Sequence, residues 1–251
     1  MGSVADPFRS WRLSVAATPF DELLASVPFD EVTRGRRGAV LVKLDDTGAV
    51  PLVRTTTASP HPARPFRDLH DRIAAEVRQS GGIPCGFNNA LVEHYTRAYA
   101  TMKRHSDLAL DLAEESWIAV YSCYRDPQRP SRRLVVTPKP PDGPDLELVL
   151  PHHGVVAFAL DTNRRFTHRI ALVANAPDND WLGITFRTSK TLVRFVDGQP
   201  QLPDGSRLTL ATEAERRTFF QLRRRENEEP DFAYPPIPYT ISEGDLLAPA
   251  G

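Results

Sequence analysis

Phe87-Asn88-Asn89-Ala90-Leu91-Val92-Glu93-His94-Tyr95 marks a change of texture in this sequence. Upstream of it, Phe66, Leu69, Ile73 and Val77 recur at helical spacing, predicting a helix over Pro65 to Ser80 stopped by Gly81-Gly82. From Phe87 onward the apolar residues come in short continuous or alternating runs, the pattern of strands. After Phe87 to Tyr95 these runs are Trp117 to Tyr124, Leu134 to Thr137, Leu146 to Leu150, Val155 to Leu160, Phe166 to Val173 and Trp181 to Phe195. Turn clusters part them at Asp126-Pro127, Pro140-Pro141-Asp142-Gly143, His152-His153-Gly154 and Ala176-Pro177-Asp178-Asn179. Strands at such intervals predict a mainly β protein with flanking helices: a double-stranded β-helix, or jelly roll, of two antiparallel sheets.

The flanks read differently. Thr18 caps a short helix with Pro19 at its first position and Phe20, Leu23, Leu24 and Val27 on one face. Arg34-Gly35-Arg36-Arg37-Gly38 reads as a solvated basic turn. Ala39 to Leu44 and Ala49 to Thr56, around Asp45-Asp46-Thr47-Gly48, carry a hairpin signal. The stretch from Thr55 to Pro65 is too rich in proline for a central strand and reads as a lid. Near the C-terminus, Thr212 and Glu215 form a capping box, with Phe219, Phe220 and Leu222 on the apolar side. Arg223 to Arg225 and Glu226 to Glu229 read as a solvated face of that helix, and Tyr234 to Tyr239 as an extended strap. The expected organisation is one domain over 1–251. It comprises N-terminal helices, hairpin and lid (1–85), a jelly-roll catalytic core (86–196), and a helix and strap (197–251).

Within the strand-rich region, Arg104-His105-Ser106-Asp107 holds a histidine and an aspartate two apart. On an extended segment these point to the same side. His168 can answer from a facing strand. Two histidines and one carboxylate bind one face of a ferrous ion and leave the other face open. Alone, either histidine reads as structural. His152 and His153 are rivals for the third position, but they sit at a glycine-containing turn where exposure is the rule. His94 neighbours Tyr95 and so faces the opposite side of its strand. His70 reads as a surface or packing residue of its helix, and Trp117, Tyr121 and Trp181 as core or pocket wall.

Composition narrows the classes. Hydrophobic residues make up 41% and charged residues 25% of the 251, enough apolar material for a sizeable core. The formal net charge of -1 exerts no global pull on nucleic acid or an anionic membrane. Only Cys85 and Cys123 are present, which suits reduced thiols better than a disulfide framework. No apolar run approaches a membrane span and the N-terminus lacks the order of a signal peptide, so the expected location is cytoplasmic.

Taken together, several segments in order resemble the AlkB-like branch of the Fe(II)/2-oxoglutarate-dependent dioxygenase superfamily. Phe87 to Tyr95 is similar to the strand before the first metal ligand, and His105-Ser106-Asp107 to the family's His-x-Asp. Leu148 to Phe158 and Phe166-Thr167-His168-Arg169-Ile170 resemble the hairpin and strand that lead to the distal histidine. Ile184-Thr185-Phe186-Arg187 resembles the closing strand, whose arginine binds the cosubstrate. The resemblance implies Fe(II), 2-oxoglutarate and O2, with His105, Asp107 and His168 as the metal-binding catalytic set. It also implies a cosubstrate site of Arg187, Tyr95 and Thr185. Asp107, where halogenating relatives carry a small residue, implies hydroxylation, desaturation or dealkylation. There are departures: the family's second arginine is Trp181 here, leaving Lys190 or Arg194 as substitutes, and its asparagine two before the tyrosine is Glu93.

The function expected is therefore oxidation of a small molecule, as in bacterial specialised metabolism. An AlkB-type nucleic-acid dealkylase is the alternative, drawing on Arg34, Arg36, Arg37, Arg164, Arg165 and Arg169 for phosphate contacts. A catalytically silent jelly-roll binding module is a second alternative. No membrane partner is expected.

Overall fold

A strand that is apolar on both faces belongs at the centre of a sheet, covered on each side. Two such strands here are Trp117–Tyr124 and Trp181–Arg187, in which every residue but Trp117 is buried. They lie side by side, antiparallel, in the middle of the largest sheet. The computed structural model describes residues 7–14, 20–140 and 143–250.

In chain order the first elements are β1 (Arg9–Arg12), α1 (Phe20–Ala25), β2 (Asp30–Thr33), β3 (Arg36–Val42), β4 (Val50–Leu52), β5 (Arg64–Pro65) and α2 (Asp68–Ser80). Then come β6 (Asn89–Tyr95), β7 (Trp117–Tyr124), β8 (Arg132–Pro138), β9 (Leu146–Val149), β10 (Gly154–Ala159), α3 (Leu160–Arg165), β11 (Phe166–Leu172) and β12 (Trp181–Arg187). The last are β13 (Thr191–Val196), β14 (Gln199–Gln201), β15 (Thr209–Leu210), α4 (Glu213–Glu228) and β16 (Tyr239–Thr240).

The large sheet runs β1-β10-β7-β12-β6-β3-β2, with β5 parallel to β3 and the other pairs antiparallel. Facing it is the antiparallel sheet β11-β8-β9. Residues 101–105 lie along the free edge of β11 through the bridges Thr101↔Ala171 and His105↔His168. Two facing antiparallel layers of this kind are the predicted jelly roll.

Alternation gives each face of the large sheet its own core. Outward, Val92, Tyr121, Leu182 and Ile184 pack with Leu23 of α1 and Leu69, Ile73 and Val77 of α2. Burying Ile73 and Val77 completely is worth about 1.5–3 kcal/mol each. Inward, Tyr95, Val120, Phe158 and Trp181 meet Leu134, Val136 and Ile170 from the smaller sheet. Trp181 lies flat over Gly183, where a Cβ would fall 2.0 Å from its ring. Tyr95 packs 4.8 Å from the same ring, so aromatic rings fill the interior at this end.

Several expectations are corrected. The turn at Asp45 to Gly48 forms, closed by Gly48 N–H to Asp45 O and Asp45 N–H to Ala49 O. Its flanking strands do not make a hairpin: β3 pairs β6 and β2, while β4 pairs β13. β4 is only three residues long and centred on Pro51, which lacks a donor, whereas β6 offers β3 a seven-residue ladder. Arg34 and Gly35 make the tight turn, Gly35 at φ +76°, but Arg36 and Arg37 belong to β3, Arg36 half-buried and Arg37 exposed. The Trp181 to Phe195 run is two strands, broken where the Ser189 hydroxyl bonds the carbonyls of Leu52 and Asp111. The helix after Phe66 begins at Asp68, with Pro65 in β5. Phe220 is exposed and only Phe219 of the pair is buried. His70 is wholly buried: its Nδ1 accepts from Arg67 N–H and its Nε2 bonds the Ser26 hydroxyl. β1 and α3 went unpredicted. Thr18 and Pro19, Met1 to Asp6, and Pro141-Asp142 lie outside the described residues. Among the described residues no helix is long and apolar enough to cross a membrane.

Candidate metal centre

His105, Ser106 and Asp107 leave the sheet edge after one bridge, so their backbone groups need other partners. His105 and His168 exchange both main-chain bonds, at 3.0 and 2.6 Å. Beyond them, side chains take over. Asn227 Oδ1 accepts from Ser106 N–H at 2.9 Å, and Arg223 donates to the Ser106 carbonyl. Asn163 grips Asp107 twice, its Oδ1 accepting from Asp107 N–H and its Nδ2 donating to Asp107 O, each at 2.8 Å. Glu226 Oε1 accepts from Ala109 N–H at 2.7 Å and is ion-paired to Arg223. Thus α3 and α4 hold the segment still.

This corrects the reading of Arg223 to Glu229 as solvated. Arg224 and Arg225 do pair with Glu228 and Glu229 in solvent, but Arg223 and Glu226 are buried. The signal was present in the spacing: Phe219, Arg223 and Glu226 stand at i, i+4 and i+7, one helical face. Asn163 had no comparable signal, since its helix was not recognised.

The three side chains converge. One ligand atom each from His105, Asp107 and His168 lies within 4.8 Å of the others. Asp107 Oδ1 is 3.3 Å from His168 Nε2 and 3.9 Å from His105 Nε2. His105 Nδ1 lies 3.0 Å from the Lys103 carbonyl, to which it can only donate, so Nε2 keeps its lone pair for the site. Burial pushes His105 down to about 3, and His168 beside it adds to the effect. Burial opposes ionisation of Asp107, but Arg187 and the histidines outweigh it and hold the carboxyl well below its usual range. Arg187 Nε donates to Asp107 Oδ2 at 2.6 Å, leaving Oδ1 to face the histidines. Two imidazoles and one carboxylate oxygen, with His105 Nδ1 and Asp107 Oδ2 already engaged elsewhere, fit a divalent cation.

A cavity of about 70 Å³ opens on the triad, with His105 and Asp107 in its wall. Four arginines line it, each already matched to an acid: Arg36 to Glu93, Arg54 to Asp111, Arg187 to Asp107 and Arg223 to Glu226. Arg54 is further committed, since it also donates to the carbonyls of Ile237 and Tyr239. Arg187 uses only Nε, so its two terminal nitrogens are available to a ligand.

The other expected site residues are not gathered here. Tyr95 pairs with Trp181 at one end of β6, whereas Arg187 pairs with Asn89 at the other. Six residues of strand put them about 20 Å apart along the chain, so Tyr95 and Arg187 do not share a ligand carboxylate. Burial raises the Tyr95 phenol well above its usual value, and the Glu93 carboxylate adds to the effect. Thr185 lies two residues from Arg187 on the same face of β12 but does not line the cavity. Lys190 is exposed, and the exposed Arg194 approaches the Thr47 hydroxyl, so neither stands in for the arginine missing at Trp181. His94 faces α1 and Phe20, as alternation requires. His152 and His153 are half-buried, bonded to Tyr124 N–H and the Tyr121 hydroxyl, and lie outside the triad.

No family model and no curated protein matches the sequence. Among solved structures, the chain is similar to a Pseudomonas putida prolyl-4-hydroxylase at 11% identity and a TM-score of 0.42. That overlap covers 73% of this chain and 94% of the other. It is also similar to an oxidoreductase of the 2OG-Fe(II) oxygenase family from Burkholderia pseudomallei. There the identity is 13% and the TM-score 0.44, over 72% of this chain and 85% of the other. Overlap this low leaves the chemistry to be argued from the side chains themselves.

Proposed function

We propose that this protein is an Fe(II)/2-oxoglutarate-dependent oxygenase that oxidises a small molecule, as in bacterial specialised metabolism. The observation that carries the reading is the convergence of His105, Asp107 and His168, with Arg187 beside them. Bound there, ferrous iron and 2-oxoglutarate supply oxidative chemistry: the keto acid and O2 yield succinate and CO2, and one oxygen atom goes to the substrate. The residues of this chain hold and orient. His105 and His168 offer Nε2 and Asp107 offers Oδ1. Arg187 fixes the second Asp107 oxygen and turns its terminal N–H groups towards a carboxylate, for which a planar fork is suited. Arg36 also lines that cavity, but Glu93 already holds its guanidinium. Thr185 lies one pleat further along the Arg187 face, and Tyr95 belongs to the packing at the far end.

A small molecule is favoured over nucleic acid because four of the six arginines that would meet phosphates are engaged. Arg36 pairs with Glu93, Arg164 with Glu114 and Arg165 with Asp161, while Arg37 donates to His94. Strong nucleic-acid binding draws on uncommitted cations.

The test is anaerobic titration of the intact protein with Fe(II) and then 2-oxoglutarate, which is expected to develop the weak visible band of the metal-bound keto acid. His168→Ala is expected to abolish it. Arg187→Lys is expected to weaken both 2-oxoglutarate and metal, since the Nε bond to Asp107 is lost with the fork. An unchanged band in His168→Ala refutes the ligand set. Micromolar, salt-sensitive binding of single-stranded DNA or RNA, measured by anisotropy, would overturn the small-molecule choice.

A further inference from the structure

A second cavity, of about 230 Å³, adjoins the one at the triad. Arg36, Thr55, Thr57 and Leu91 are walls of both. Its floor is the sheet face on which Gly38 and Val40 of β3 lie opposite Glu93 and Leu91 of β6. Its roof is the stretch from Thr55 to His61, which the sequence marks as a lid. That roof is fastened at both edges. Asp30 accepts from the Ser59 hydroxyl at 2.7 Å and lies 2.5 Å from His61 Nδ1. On the other side Gly244 N–H donates to Ser59 O at 2.9 Å. A Cβ on Gly244 would lie 1.9 Å from the His61 carbonyl oxygen, so only glycine lets the turn at Glu243–Leu246, beyond the strap, seat so closely. The chamber is therefore built into the folded chain.

Its chemistry is readable from its walls. Val32, Val40, Leu91, Ala58 and Pro60 make most of the surface apolar. Three carboxylates, on Asp30, Glu31 and Glu93, stand against one guanidinium, on Arg36, which Glu93 already holds. Even with His61 charged the balance stays negative. Anions are disfavoured in such a space, and apolar or cationic guests are not. Gly38 is what leaves the floor open: a Cβ there would point towards Val32 Cγ2 at 3.6 Å, an ordinary contact.

We propose that this chamber, which opens onto the triad cavity it adjoins, is the substrate site. It takes a compact, mostly apolar molecule that is uncharged or carries a single ammonium group, and it excludes anions. The proposal rests on the oxygenase reading for the role of substrate, but ligand binding in the chamber can be measured without it. The entry past Leu91 and Arg36 sets which carbon reaches the triad.

Calorimetric titration of the intact protein with indole, 2-phenylethylamine and 3-phenylpropionate tests this. Indole and 2-phenylethylamine are expected to bind, and 3-phenylpropionate at least tenfold more weakly. Gly38→Val, which fills the floor, is expected to lower the affinity for the first two at least tenfold while leaving metal affinity unchanged. Gly38→Ala, a single added methyl with room to fit, is expected to fall between and decides the matter if the valine variant misfolds. Equal binding by both variants, no binding by the wild type, or a preference for the carboxylate overturns the proposal. Glycine-dependent binding in a protein that forms no band with Fe(II) and 2-oxoglutarate would sink the oxygenase reading and leave the chamber standing.

Discussion

Asn163→Ala tests whether the candidate metal centre is held from behind. The Asn163 amide makes two 2.8 Å bonds to the backbone of Asp107, one accepted and one donated, in a place where both residues are buried. Alanine leaves an N–H and a C=O of Asp107 without partners. Each such buried group costs about 1–3 kcal/mol, so a total of roughly 3 kcal/mol is expected. For a chain of this length that corresponds to a fall in Tm of about 6–12 °C. The freed backbone also lets the carboxylate swing away from His105 and His168. Loss of a partner that orients a ligand typically costs about 10–100-fold in metal affinity, and a drop in that range is expected. Asn163→Asp should be worse: it keeps the acceptor but sets an oxygen against the Asp107 carbonyl and a second charge beside the site. Differential scanning fluorimetry and anaerobic Fe(II) titration measure the two effects separately. A destabilised alanine variant with wild-type metal affinity would refute the positioning role, and an aspartate variant equal to wild type would refute the bonding pattern itself.

Two other perturbations probe the interior. Gly183→Ala places a Cβ 2.0 Å from the Trp181 ring, which Tyr95 backs at 4.8 Å. Overpacking of this kind costs about 1–3 kcal/mol or more, and Trp181→Leu in the same chain should recover part of it. Additive losses in urea denaturation would mean that the two positions do not compete for the same space. His70 is held down to about 4 by burial, with Arg67 adding to it, so its native form is neutral. Its ordinary value is near 6.5. Between pH 6.5 and 4 the unfolded chain takes up a proton that the folded one refuses, and stability falls as pH falls. The span is worth about 3 kcal/mol, so the stability difference between wild type and His70→Gln should shrink by about that much from pH 7 to pH 4. A difference that stays constant over this range would show that His70 titrates alike in both states.

Much of the architecture was legible in the chain. The apolar runs that became β7 and β12 announced strands covered on both faces, and the Thr212–Glu215 capping box located the start of α4. His105 and Asp107, two apart on extended chain, and His168 on its own strand were recognisable as a convergent set before any fold was known. These features are local, and local periodicity records that a residue is buried. It does not record what buries it. That β4 joins β13 rather than β3, that the run from Trp181 breaks at Ser189, and that Arg187 grips Asp107 are long-range facts. The same holds for Arg223 and Glu226, which read as solvated charges because a charged helix face looks alike whether water or an unpaired backbone awaits it. Tertiary structure decided these cases: a buried polar group is tolerable only where its partner also arrives, and partners distant in sequence leave no trace in the local pattern.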